Sequence, residues 1–487
     1  MELQRWLTLL SGLVEGLLFT GISFGWVSLV FVLRVEGYFR QPCFNSTTEE
    51  GMAPTECTEQ DQQLSQVMTV ACICNTLTRF PIGYILDRYG TTVTRLIAML
   101  LFITGTLMIT LSSPETSVLL YPALSCLMVS GAILYISNVQ VGNLFYSYRS
   151  TIITIYSGTF DSSALVFLVV KLLYERGVSI RSSFLFLVVC SVFLFLRTIF
   201  LMPKTHIPHP LPEAFTYGFK CPTVNKRRDV ENKSNKETLK NELVTQSQIQ
   251  SKGQEVSFRS CVLSWLFLWH IVWVVIIVFC HVIFLSTVNP TLSRLAQNDQ
   301  TLVSHYSNVF AFTQLCSVFF APISGLIMDR HKRRPLAPGE TKREAELSAS
   351  ILALVLTCLL CFFFYVCFTS TILPLQYLTF ILQVACSSFF YGGHQAFVSI
   401  AFPMTHFGKI SGIAMFVSGV VLLLQFPILR LIQHTLQGNQ LLVNIGVVLA
   451  SLLAFAHPVH VSIYCRNLAS QRKCGQKEIK YSLGVGS

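Results

Sequence analysis

The sequence predicts an all-α membrane protein with twelve transmembrane helices in two six-helix pseudo-repeats. Three observations carry this. Hydrophobic residues make up 52% of the 487 and charged residues only 12%, with a mean hydropathy of +0.58, whereas a soluble chain carries about 25% charged residues. Apolar runs of about 20 residues, enough to cross the hydrocarbon, recur along the whole chain. A short motif closes two of those runs, as Gly83-Tyr84-Ile85-Leu86-Asp87-Arg88-Tyr89-Gly90 and again as Gly325-Leu326-Ile327-Met328-Asp329-Arg330-His331. Its glycine lets helices approach closely, and an Asp-Arg pair at the membrane surface can lock neighbouring helix ends by charge-assisted hydrogen bonds. Gly83, Asp87, Arg88 and Gly90, with Gly325, Asp329 and Arg330, are therefore the candidate gate. Two copies imply parallel repeats about an axis along the membrane normal, an architecture of transporters.

The spans fall near 7–32, 65–86, 93–112, 117–141, 152–174, 182–202, 262–288, 304–328, 348–370, 372–401, 407–430 and 439–463. The first carries Glu15 and runs on without a clear small-residue cleavage site, so it reads as a retained span. Residues 33–63 form the largest outside loop. They hold the sequon at Asn45 together with Cys43 and Cys57, which predicts a glycan and a disulfide in an outward, oxidising setting. Residues 203–260 are polar and poor in aromatics beyond Tyr217 and Phe219, a composition that reads as a disordered cytoplasmic linker. The chain thus divides into an N-terminal six-helix half at 1–202, the linker at 203–260, a C-terminal half at 261–465 and a tail at 466–487.

Basic residues fix the orientation. Arg88, Arg95, Arg149, the run from Arg330 to Arg334, Lys409, Arg466, Arg472 and Lys473 share one side, and acidic Glu49, Glu50, Glu56, Glu59 and Asp61 lie on the other. Both termini are then cytoplasmic. The net charge of +11 follows from this asymmetry and from anionic lipid, and nucleic acid is not needed to explain it. The sequence has no nucleotide-binding loop, no metal spacing and no recognisable nucleophile-base set, so an enzyme is excluded and neither cofactor nor metal is expected. No obligatory protein partner is implied.

A polar group at bilayer depth costs several kcal/mol and so usually faces a cavity or a partner. The candidates for a substrate path are Glu15 in the first span, Asn138, Gln140 and Asn143 in the fourth, and Asp161 in the fifth. His281 in the seventh and Gln383, Tyr391 and His394 in the tenth complete the set. For each, the competing role is an interhelical hydrogen bond that only holds the bundle. His270, nearer its helix end, can simply meet headgroups, and Ser411, Ser418 and Gln425 are spaced as a packing seam. Arg79, Lys171, Arg197 and Arg430 sit within two or so turns of a surface, where long side chains snorkel. With no cation at mid-depth, the pocket suits a neutral, flat solute, with Trp273, Phe390 and Tyr391 to stack on it.

Longer strings carry a resemblance. Arg149-Ser150-Thr151-Ile152-Ile153-Thr154, Phe160-Asp161-Ser162-Ser163, Lys171-Leu172-Leu173-Tyr174-Glu175, Leu373 to Gln383, Ala401-Phe402-Pro403 and His406-Phe407-Gly408-Lys409 resemble the solute carrier family 43 branch of the major facilitator superfamily. The likeness spans nearly all the chain except 41–62 and 220–258. It implies the major facilitator fold and sodium-independent, facilitated movement of purine nucleobases such as adenine, guanine and hypoxanthine across the plasma membrane. The alternative within the branch is facilitated transport of large neutral amino acids. Thr91-Thr92-Val93-Thr94 stands where the superfamily motif usually turns basic, and Gly393-His394-Gln395 departs from small polar residues at that position.

Overall fold

A computed structural model describes residues 2–40, 58–145, 148–208, 211, 217–218, 257–297, 299–330, 339–436 and 440–482. Asn45, Cys43, Cys57, His331 and most of 203–260 lie outside the described residues. All regular structure among those described is helical.

The first crossing, α1, is a broken helix of Leu3–Thr20 and Ile22–Val35 bent by 44°. A 50-residue apolar helix, Gln62–Leu111, follows. At 1.5 Å per residue it would be roughly 75 Å long, more than twice the hydrocarbon thickness. Gly90, with φ 83° and ψ −175°, breaks it, a conformation that a side chain disfavours. The result is α2 (62–89) and α3 (91–111). The others are α4 (Pro114–Leu144), α5 (Arg149–Glu175), α6 (Ile180–Phe200), α7 (Trp265–Leu295), α8 (Thr301–Asp329), α9 (Lys342–Thr369), α10 (Leu373–Ala401), α11 (Met404–Arg430) and α12 (Leu441–Cys474). Counted this way, the described residues cross twelve times, as the apolar runs predict.

Side chains at the loop ends start several of these helices. Ser179 and Ser264 accept from the amides of Ser182 and Phe267, each at 3.2 Å, and Thr341 with Glu344 closes a capping box. Asp299 accepts from the Thr301 amide at 2.9 Å. Hydrogen bonds from the Thr301 hydroxyl, then from the Leu302 and Thr301 amides, hold its carboxyl below the ordinary range.

The break in α1 is a packing feature. A Cβ on Gly21 would lie 2.9 Å from the Ser163 hydroxyl and run into the Phe160 carbonyl, and a Cβ on Gly131 of α4 would run into the Thr20 carbonyl. Both glycines exist so that the bend can nest against α4 and α5. Glycines also form the real seam of α11. Gly408, Gly412 and Gly419 lie against Gly83, Arg79 with Phe80, and Thr76 of α2. Ser411 and Gln425, expected in that seam, instead pair with α10 and with Ser286 of α7, and Ser418 bonds its own helix.

Within 203–260, a short stretch packs against the bundle. Ile207 and Leu211 are buried, the Gln4 amide donates to the Tyr217 carbonyl at 2.6 Å, and Thr92 N donates to the Lys204 carbonyl at 3.3 Å. A few apolar and aromatic side chains anchor this stretch beneath α1, α3 and α4, an effect hidden in the average composition of the whole segment.

Candidate functional site

Four of the sequence candidates meet where α1, α5, α7, α8 and α10 converge. Asp161 of α5 accepts from the Ser387 hydroxyl of α10 at 2.8 Å and from the Ser317 hydroxyl of α8 at 3.0 Å, and Ser317 shares a 2.6 Å bond with Ser388. No cation pairs with this buried carboxylate among the described residues. One helical turn before Ser387, the Gln383 amide bonds the His281 Nδ1 at 3.3 Å and its oxygen accepts from Gln314 at 2.9 Å. Tyr391, one turn beyond Ser387 on the same face, is only half-buried.

A cluster of rings packs beside these groups. Tyr135 and Phe160 lie 4.9 Å apart, Phe160 and Tyr391 5.5 Å, and Phe24 and Phe160 5.3 Å. The edge of His281 meets Tyr391 at 6.1 Å. The Tyr135 hydroxyl, 2.5 Å from Ser157, also reaches the Tyr391 carbonyl across the α4–α10 boundary at 3.2 Å. Tyr135, Ser317, Ser388 and Gln314 were not among the sequence candidates. Their partners lie on other helices, so no spacing within one helix points to them.

The other candidates lie elsewhere, which corrects the sequence reading. Glu15 is fully buried in a closed network, not on an open path. One carboxylate oxygen pairs with Arg95 and, at 3.0 Å, with Arg197, and the other accepts from Asn138 at 2.8 Å. Asn138 accepts in turn from Arg197 at 2.8 Å, while Arg95 also donates to Thr198 at 2.9 Å and to Ser137 at 3.0 Å. Two cations and one carboxylate thus tie α1, α3, α4 and α6 together. Arg197, expected to snorkel, belongs to this interior network. Lys171 is likewise buried, bonded to Asn308 at 2.7 Å, and Arg79 is buried as well.

Gln140 and Asn143 hold the packed stretch after α6, with the Ile207 amide donating to Gln140 at 2.9 Å and Asn143 donating to the Ile207 carbonyl at 2.8 Å. Arg149 donates to Asn143 at 2.8 Å. His394 sits in a histidine stack with no open face. Its Nδ1 is 2.9 Å from His270 and its Nε2 3.1 Å from Ser411, and His270 continues to His457 at 3.1 Å. His270 therefore does not meet headgroups, and Trp273, which packs on it at 5.5 Å, is buried away from any solute.

The repeated motif makes two matching contacts. Asp87 of α2 accepts from the amides of Gly408 at 3.1 Å and Lys409 at 3.0 Å, at the start of α11. Asp329 of α8 accepts from the amide and the hydroxyl of Thr151, both at 2.8 Å, at the start of α5. Each carboxylate therefore meets the positive end of a helix and its unpaired N–H groups. The glycines allow the approach. A Cβ at Gly83 would fall 2.5 Å from the Gly408 carbonyl carbon, and one at Gly325 would fall 2.8 Å from the Thr151 nitrogen. Arg88 and Arg330, expected to pair with these aspartates, are both exposed, and each aspartate meets helix-start groups.

Residues 16–425 match the model of the Major Facilitator Superfamily. The chain is 44% identical to equilibrative nucleobase transporter 1 of Bos taurus, covering 96% of this chain and 97% of that protein. The chain belongs to the solute carrier family 43 branch of the major facilitator superfamily. It is a multi-pass membrane transporter and not an enzyme. Large neutral amino acids transporter small subunit 3 of Homo sapiens is more distant, at 26% identity over 96% of this chain and 95% of that one. Among solved structures, a double-tryptophan mutant of XylE aligns with TM-score 0.59 at 13% identity, covering 94% of each chain. A bacterial homologue of the iron transporter ferroportin, in an outward-facing state, aligns with TM-score 0.53 at 14% identity, covering 94% of this chain and 99% of that one. Both show the fold alone.

Proposed function

We propose that this transporter is a sodium-independent, facilitative carrier of purine nucleobases, adenine, guanine and hypoxanthine, in the plasma membrane. The observation that carries the reading is the 44% identity, over nearly the full length, to a protein named as an equilibrative nucleobase transporter. The ring cluster beside Asp161, His281, Gln383 and Tyr391 supports it. Phe24, Tyr135, Phe160 and Tyr391 offer π faces and edges to a flat heterocycle, while the carboxylate, imidazole and carboxamide match its donor and acceptor edge.

The halves 1–202 and 261–465 then rock about this site. Both termini and the motif side are cytoplasmic, as the basic loops indicate. With both aspartate locks made, the cytoplasmic side is closed, and opening inward requires that Asp87 leave α11 and Asp329 leave α5. The cycle needs no coupling ion.

A second reading, facilitated transport of large neutral amino acids, gains from Arg79. A buried guanidinium on α2 and the Asp161 carboxylate on α5 are suited to the two ends of a zwitterion. Short-time uptake of labelled adenine and of labelled leucine without sodium separates the two. Saturable adenine uptake with no leucine uptake is the expected result, and leucine uptake alone would replace the nucleobase reading.

A further inference from the structure

Asp161 lies near the middle of α5, on the boundary between the halves, and the groups that satisfy it belong to the opposite half. It is 2% exposed, so bulk water does not solvate it, and no cation pairs with it among the described residues. Its hydrogen bonds come from the hydroxyls of Ser317 on α8 at 3.0 Å and Ser387 on α10 at 2.8 Å, both buried and both donating to the same carboxylate oxygen. An ionised carboxylate only accepts, so two converging O–H donors are its natural complement. The neighbouring bonds across this boundary, from Ser162 to the Gln314 carbonyl at 3.1 Å and from Tyr135 to the Tyr391 carbonyl at 3.2 Å, join neutral groups. A carboxylate buried without donors is far costlier than a neutral group treated so.

That cost bears on how a carrier turns over. Net flux requires the carrier to close and return with no solute bound, and Asp161 must then be buried without one. A coupled carrier can bring a cation to such a carboxylate. Here two hydroxyls of the other half reach it. Resting on the facilitative nucleobase reading, we propose that Ser317 and Ser387 are positioning residues that act through Asp161 to let the carrier return without solute. They donate to the carboxylate when no solute is bound, and a ring N–H of the purine base takes the place of at least one of them when it is. Net flux therefore needs both hydroxyls. Exchange, in which the carrier returns loaded, does not.

The test compares two fluxes of labelled adenine into sealed liposomes holding the purified full chain. Entry into liposomes without internal base needs the solute-free return, and entry into liposomes loaded with unlabelled adenine does not. In the double variant Ser317→Ala with Ser387→Ala, net entry should fall about tenfold or more, for the loss of both donors to a buried carboxylate, while exchange stays within about twofold of its starting rate. A fall of both fluxes by the same factor, as serines that only hold the bundle would give, or an unchanged ratio of the two, would overturn the proposal. The single variants Ser317→Ala and Ser387→Ala decide in the same way where the double variant does not fold, each with a smaller shift of the ratio in the same direction. The unsubstituted chain also decides, since it should support both fluxes. Exchange without net entry would overturn the proposal and leave the nucleobase reading standing, whereas saturable entry of no purine base in either setting would overturn that reading and the proposal with it.

Discussion

Replacing Asp87 with Asn tests the proposed lock at one atom. The carboxylate now receives two backbone N–H groups, from Gly408 at 3.1 Å and Lys409 at 3.0 Å, one on each oxygen. A carboxamide keeps a single acceptor oxygen and turns its NH2 towards the second amide. One charge-assisted bond, typically about 1.5–3 kcal/mol, is lost, and the attraction to the α11 N-terminus goes with it. At 1.4 kcal/mol per tenfold, that shifts the equilibrium about 10- to 100-fold away from the state in which the contact is made. Neither partner touches the solute space, so KM should stay near its starting value while Vmax falls, because the return to the outward-open form becomes slow. The matching readout is maleimide labelling of Ser399→Cys. Ser399 is buried near the C-terminal end of α10, where Arg149 donates to its carbonyl at 3.4 Å. Labelling from the side of the membrane that carries the motif should speed up in Asp87→Asn. A raised KM with normal Vmax and unchanged labelling would refute the lock.

Other predictions follow from the same geometry. Glu15→Gln removes the carboxylate between Arg95 and Arg197 and leaves two buried cations, at a cost of about 3–5 kcal/mol; the variant should lose abundance and melting temperature while its residual uptake keeps the same KM. A changed KM would return Glu15 to the substrate path. Asp161→Asn weakens the bonds from Ser317 and Ser387 but keeps their geometry, and KM should rise about tenfold for the loss of roughly one charged hydrogen bond; an unchanged KM would remove Asp161 from the site. Gly392 and Gly393 form a matched pair. A Cβ at Gly392 meets Thr154 Cγ2 at 2.7 Å and one at Gly393 meets nothing within 4 Å, so Gly392→Ala should impair transport by overpacking α5 against α10, about 1–3 kcal/mol, while Gly393→Ala transports normally. Equal behaviour of the two alanine variants in uptake would contradict the packing described.

The sequence made the crossings legible because apolar length is a local property. It made the motif legible too, since Gly83 and Gly325 open runs that end on Asp87 and Asp329. What each aspartate binds was hidden, because the partners are backbone amides at helix starts and carry no side-chain signature. Glu15 was read as a site residue on the sound premise that a buried carboxylate needs a reason. The reason lies in Arg95 and Arg197, on helices whose registry with α1 no single sequence displays. Placing Arg197 near a surface by counting turns had concealed the pairing. The same counting treated Arg79 as a snorkelling residue and led to a pocket without a cation, whereas the packing of α11 glycines onto α2 buries that face. Gln140 and Asn143 were on the right helix but at the wrong depth, since α4 ends in a tight turn that carries them to the stretch at Ile207. His394 failed as a pocket residue because its neighbours His270 and His457 come from α7 and α12. Gln383 and Tyr391 flank Ser387 on one face of α10, and Ser387 bonds Asp161 while Gln383 bonds His281, contacts between helices that no single helix pattern displays.

The most direct test of the account is exchange by the purified protein in sealed liposomes without sodium or a pH gradient. Labelled hypoxanthine should enter until inside and outside concentrations are equal, faster when unlabelled guanine is loaded inside, and an imposed pH gradient should leave that endpoint unchanged. Accumulation above the outside concentration under a proton gradient, or no entry of any purine, would contradict it.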